Sequence, residues 1–173
     1  MPDPQSIALV GLSGVGKSSV GRLLSARLEW PLLDTDALIA QAAGHTVAQI
    51  FADSGEPYFR DLESAALQRA LSSAPCVVST GGGVVLRPEN RALLCSRAFV
   101  VWLDAPTATL VARLQAHDEA RPLVGVADPA ARLDALRAAR AGLYAEVAHA
   151  QVDSADSELD AICAQILQLF ARC

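Results

Sequence analysis

Ile7-Ala8-Leu9-Val10 runs directly into Gly11-Leu12-Ser13-Gly14-Val15-Gly16-Lys17-Ser18. The second part fits G-x-x-x-x-G-K-S/T, a phosphate-cradling P-loop. Its glycines let the backbone turn with positive φ and approach an anion with no Cβ in the way. Successive N–H groups and the N-terminus of the following helix then face phosphate with partial positive charge. Lys17 is placed to reach the β- and γ-phosphates and the Ser18 hydroxyl to ligate Mg²⁺. An apolar strand precedes the loop, and Val20, Leu23, Leu24 and Leu28 follow at helical spacing. Composition supports the same reading: of 14 basic residues, Lys17 is the single lysine and the rest are arginine. A slim ammonium enters a nest of N–H groups where a planar guanidinium is no substitute.

At 173 residues the chain is long enough for one domain with a substantial core, and one domain, 1–173, is expected. A net charge of −5 offers nucleic acid no basic footprint. Apolar runs are short, and the opening Met1-Pro2-Asp3-Pro4-Gln5 has neither a basic segment nor an apolar one. No membrane association and a cytoplasmic location are expected. Cys76, Cys95, Cys163 and Cys173 are widely spaced without C-x-x-C, which suggests neither a zinc site nor a disulfide framework.

Short apolar runs alternate with helix-period stretches, the pattern of a parallel sheet covered on both faces. Strands are expected at Ile7–Val10, Pro31–Leu33, Cys76–Val78 and Phe99–Leu103, with Ala150–Val152 as a weaker fifth. The final helix should bury Leu159, Ile162, Ile166 and Phe170. Asp128-Pro129 suits an N-cap followed by the first helical position. The fold class is therefore α/β: a three-layer P-loop architecture around a five-stranded parallel sheet.

Ligand sites in such sheets lie beyond the carboxyl ends of the strands. The second strand ends in Asp34-Thr35-Asp36. Read as extended chain, both carboxylates face one side. One could then hold Mg²⁺ through water and the other orient a substrate hydroxyl; the alternative is that one merely caps a helix starting near Ala37. Further on, Phe59, Leu62 and Ala66 form a buried stripe, with Arg60 beside it, Glu56 at i−4 and Glu63 at i+3. Taken alone, these charges read first as a surface ion-pair ladder. Gly81-Gly82-Gly83 after the third strand implies close approach of a ligand or another backbone. The polar stretch about 116–127 reads as a lid, on which Arg121 could neutralise a transferring phosphoryl group. Spacing does not decide whether Arg137 and Arg140 are functional or helix-surface charge.

Together these residues resemble the shikimate kinases, members of the nucleoside-monophosphate-kinase-like P-loop proteins. The likeness runs nearly the full length, through Gly11–Ser18, D-S/T-D at Asp34–Asp36, G-E-x-x-F-R-x-x-E at Gly55–Glu63, Gly81–Gly83, R-P-L at Arg121–Leu123 and R-x-x-L-Y at Arg140–Tyr144. It implies a small substrate-binding helical insertion about 34–63, the lid, and monomeric transfer of phosphate from ATP to the 3-hydroxyl of shikimate. By the same resemblance Gly14, Val15, Gly16, Lys17, Ser18, Ser19, Arg113 and Arg121 bind ATP, with Arg113 near the adenine. Ser18 ligates Mg²⁺ and Asp34 lies in its outer shell. Asp36, Arg60, Gly82, Gly83 and Arg140 contact shikimate, Glu63 holds Arg60, and Lys17, Asp36 and Arg121 are catalytic. Gly142 departs from the family pattern, where proline commonly precedes Leu-Tyr.

Overall fold

The structure is a computed structural model that describes residues 6–116, 128–155 and 158–172. Within them, β1 (Ile7–Val10) leads through the glycine loop into α1 (Lys17–Leu28) and β2 (Leu32–Asp34). Two helices follow, α2 (Thr35–Ala43) and α3 (Val47–Leu71), then β3 (Val77–Ser79), a 3-10 turn at Val84–Leu86 and α4 (Pro88–Arg97). The chain closes with β4 (Phe99–Asp104), α5 (Thr107–Ala116), α6 (Pro129–Val147), β5 (Ala150–Asp153) and α7 (Leu159–Phe170).

The strands lie in the order β2-β3-β1-β4-β5, all parallel. β1, central and continuously apolar, has all four residues at 0% exposure, as a strand covered on both faces requires. On β4, Phe99 meets Phe170 of α7 and Trp102 meets Tyr144 of α6. An odd spacing along a strand reverses the face, so α7 and α6 cover opposite sides. α1 packs with α7, and α4 joins α6. The result is the expected three-layer α/β arrangement.

β2 and β3 each run one residue past expectation, and β4 and β5 likewise end on aspartates. Their last residues are polar yet still paired in the ladder, Asp34 with Ser79 and Asp104 with Asp153. An apolar run does not show a polar strand end. In α7, Ile162, Cys163 and Ile166 are buried, but Leu159, the first residue of the helix, stands 39% exposed, a correction to the predicted face. Asp128 does cap α6, its Oδ1 accepting from the Ala131 N–H at 3.0 Å.

The insertion between β2 and β3 carries its own small core of Ile39, Ile50, Phe59 and Ala66, with Phe51 stacked 4.4 Å from Phe59. Gly55, at φ 79° and ψ 173°, breaks α3 into two segments, and Pro57 starts the second. That second segment then delivers Leu67, Ala70 and Leu71 to the main core. One helix thus fixes the insertion to the sheet.

Two glycines give contrasting tests. Gly11 sits at φ +139°, with the Leu103 carbonyl where a Cβ would go, whereas Gly142 is exposed within the unbroken α6 with nothing within 4 Å of such an atom. Gly11→Ala should cost about 2–5 kcal/mol through strain and overpacking. Gly142→Ala should gain about 0.5–1 kcal/mol. Urea denaturation of both variants measures the difference.

Candidate active site

The carboxyl ends of β1, β2 and β3 converge on one cleft. At its phosphate half, Gly14 and Gly16 take φ values of +87° and +93°. Gly16 leads into α1 with no side-chain cap, and no acidic residue occupies the first turn. The first N–H groups of α1 are left to an incoming anion. Lys17 is buried, and its Nζ donates to the carbonyls of Gly11 and Leu12 at 2.8 Å each. The ammonium is thus held inside the curl of the loop.

Asp34 does cap a helix, and its second oxygen turns to the phosphate loop. Oδ1 caps α2, accepting from the N–H groups of Asp36 at 3.0 Å and Ala37 at 3.2 Å, while Oδ2 accepts from Ser18 Oγ at 3.5 Å. The extended i, i+2 geometry expected for the pair does not hold. α2 begins at Thr35, two residues early, so Asp36 projects from the first helical turn. Asp36 still reaches the cleft: its Oδ1 lies 3.0 Å from where a Cβ on Gly81 would stand. Ser18 and Asp34 offer hard oxygen donors side by side, the donor set Mg²⁺ accepts while keeping most of its water.

The acceptor half is built against the glycine triplet. The Gly81 N–H donates to Thr35 Oγ1 at 3.1 Å, and Tyr144 OH donates to the Gly82 carbonyl at 2.5 Å. Burial pushes the Tyr144 phenol up to about 12, despite the pull of Arg140, so it remains a donor. A Cβ on Gly81 would stand 2.8 Å from Glu63 Oε1, one on Gly82 would stand 3.5 Å from Arg140 Nη1, and one on Gly83 would collide with the Arg60 guanidinium. Three different side chains close on three bare backbone units.

Arg60 and Glu63 are not a surface ladder. Glu63 is 0% exposed, and its Oε2 accepts from Arg60 Nη1 at 2.8 Å. Glu56 Oε1 accepts from Arg60 Nη2 at 2.8 Å and Nε at 3.2 Å. Three of the five guanidinium donors are so committed among the described residues, which leaves two for a ligand. Both pKa values rise, for different reasons. Burial works against the Arg60 charge, but Glu63 and Glu56 outweigh it and raise its pKa; for Glu63, burial outweighs the pull of Arg60 and raises the carboxyl. Because a guanidinium stays charged at any working pH, the desolvated carboxylate sets the cost of the pair.

Arg113 lies between the loop and the end of β5. Its Nη1 donates to Gly14 O and Ser154 Oγ at 3.4 Å, and its Nη2 donates to Ser154 O at 2.5 Å and Ala155 O at 3.2 Å. Ser154 Oγ in turn donates to Val15 O at 2.8 Å. Sequence reasoning gave Thr35, Ser154 and Tyr144 no role, although Thr35 and Tyr144 stood in quoted motifs. Arg137, left open by spacing, pairs with Asp104 Oδ1 at 2.5 Å and Ala105 O at 2.5 Å, bracing the end of β4. Arg121 and the proposed lid beyond Ala116 lie outside the described residues.

A lysine-bearing phosphate loop facing a carboxylate and two arginines, on a parallel sheet, defines a small-molecule phosphotransferase. The shikimate kinase family model matches residues 13–171. The chain is 46% identical to a shikimate kinase of Symbiobacterium thermophilum over 94% of each chain, and 44% identical to one of Neisseria gonorrhoeae over 87% of this chain and 88% of that one. A shikimate kinase structure from Acinetobacter baumannii, in complex with shikimate, superposes with a TM-score of 0.92 at 36% identity, covering 98% of this chain and 94% of that one. The chain belongs to the shikimate kinase family. It is an ATP-dependent kinase of shikimate.

The raised carboxyl of Glu63 has a measurable sign. The folded state holds that proton more readily than the unfolded chain, so the group favours folding below its ordinary titration range and loses that contribution as pH rises through the raised value. Glu63→Gln cannot titrate. The stability of wild type relative to Glu63→Gln, from urea denaturation across pH, should fall as pH rises above the ordinary glutamate range. A flat difference would contradict the buried carboxylate.

Proposed function

We propose the following division of labour for the reaction ATP + shikimate → ADP + shikimate 3-phosphate, a step in aromatic biosynthesis. Lys17 and the N–H groups across Gly14, Val15, Gly16, Ser18 and Ser19 hold the β- and γ-phosphates of ATP. Arg113, fixed between Gly14 and the 154–155 backbone, flanks the adenine. Arg60 and Arg140 grip the acceptor carboxylate, with Gly82 and Gly83 along the ring. Asp36 receives the 3-hydroxyl, turns its oxygen toward the γ-phosphorus and accepts its proton as the bond forms. Arg121 neutralises charge on the phosphoryl group in transit.

Ser18 and Asp34 would hold Mg²⁺, Asp34 through water. When bound, that ion neutralises charge on the β- and γ-phosphate oxygens. The rest is positioning: a loose transition state needs alignment and compensating charge more than covalent help. The same reading has the chain working as a cytoplasmic monomer on two small molecules, without a membrane or nucleic-acid partner. Among the described residues, no helix is long and apolar enough to cross a membrane.

The observation that carries the reading is the guanidinium of Arg60, seated on Gly83 by a buried glutamate, with Arg140 beside Gly82. Planar cations of fixed orientation suit a carboxylate on the acceptor. Lys17→Met and Asp36→Asn should each lower kcat by about a hundredfold or more while circular dichroism stays native. Arg60→Ala should chiefly raise the KM for shikimate. Wild-type turnover by Asp36→Asn would remove the role given to that carboxylate.

A further inference from the structure

The glycine triplet is continuous with the 3-10 turn at Val84–Leu86: Val84 N–H donates to Gly81 O at 3.2 Å and Leu86 N–H to Gly83 O at 3.0 Å. Whatever holds that turn therefore holds the triplet. Two arginines do so from behind the cleft. Arg91 Nη1 donates to Val85 O at 2.9 Å and Leu86 O at 3.4 Å, and its Nε donates to Glu146 Oε1 on α6 at 2.9 Å. Arg87, at the end of the turn, donates through Nη2 to Asp61 Oδ1 at 2.6 Å and through Nη1 to Ser64 Oγ at 3.5 Å, both on α3.

The helices reached in this way are the two that carry the carboxylate grip. Asp61 and Ser64 follow directly on Arg60 and Glu63, and Glu146 lies two residues beyond Tyr144 on the helix of Arg140. We propose that Arg87 and Arg91 are positioning residues for the acceptor: they brace the glycine turn to α3 and α6 and so fix the separation of Arg60 from Arg140. The inference rests on the assignment of those two arginines to the shikimate carboxylate. A bidentate grip shared by two helices depends on their spacing, and neither brace touches the nucleotide half.

The test removes the outer ends of the braces. The side chains of Asp61 and Glu146 are 67% and 53% exposed, so truncating them opens no cavity, and Arg91, itself 17% exposed, keeps the Val85 and Leu86 carbonyls as partners. Asp61→Ala and Glu146→Ala should each raise the KM for shikimate about threefold and the double variant about tenfold, the scale and additivity expected of two separate pairs whose acidic ends are exposed. The KM for ATP and kcat should stay within about 1.5-fold of wild type, a split that a general loosening would not produce. Glu146→Gln, which keeps an acceptor for Arg91, should recover most of its share. An unchanged shikimate KM in the double variant, or equal shifts in both KM values, would overturn the brace. Arg60→Ala run alongside separates the two levels: if it too leaves the shikimate KM unchanged, the carboxylate grip falls and the brace with it.

Discussion

The Glu63 carboxylate lies wholly out of water beneath the acceptor cleft, and the geometry around it depends on the Arg60 guanidinium that accompanies it. Such a pair gives weak support to stability, because desolvation offsets most of the attraction. Its effect is on shape. Removing either partner strands a charge, which costs about 3–5 kcal/mol, so the two side chains hold one another in one arrangement. That arrangement brings Arg60 onto Gly83 and Glu63 Oε1 beside Gly81, where any side chain would collide. The break at Gly55 and the small Phe51–Phe59 core aim this stretch of α3 at the sheet edge. A cation that is oriented before substrate arrives loses little freedom on binding.

The parallel sheet joins this acceptor half to the phosphate half. β1 ends in the loop that carries Lys17, β2 ends at Asp34, and β3 runs on into the triplet, so three neighbouring strand ends supply both sides of one transfer. Asp34 is the joint. One of its oxygens caps the helix that bears Asp36 and the other reaches Ser18. The candidate base and the candidate metal ligand are therefore positioned by the same side chain. Ser154 and Arg113 perform a similar service on the far side, where they tie β5 to the loop carbonyls.

Much of this was legible in the sequence. Continuous apolar runs located the strands to within a residue, and the spacing around Lys17 located the phosphate half. The departures share a cause: each involves a polar group whose environment is made by distant chain. Asp34 and Asp104 are paired strand ends that hydropathy cannot see. Glu63 looked like one side of a surface ladder because its burial comes from Gly81 and the Asp36 region, which local periodicity does not report. Leu159 looked buried because it keeps the helical spacing, although it is the first residue of its helix and faces solvent. Arg137 and Arg140 have the same local appearance three residues apart. Only the packing of α6 sends one to Asp104 and the other to the triplet.

The central claim is that this cleft selects its acceptor by the carboxylate, through arginines oriented in advance. The direct measurement compares kcat/KM for shikimate with that for its methyl ester, which keeps every hydroxyl and lacks only the charge. With two charge-assisted contacts at stake, the ester should be poorer by about a hundredfold or more, mostly through KM. Equal kcat/KM for acid and ester would contradict the account.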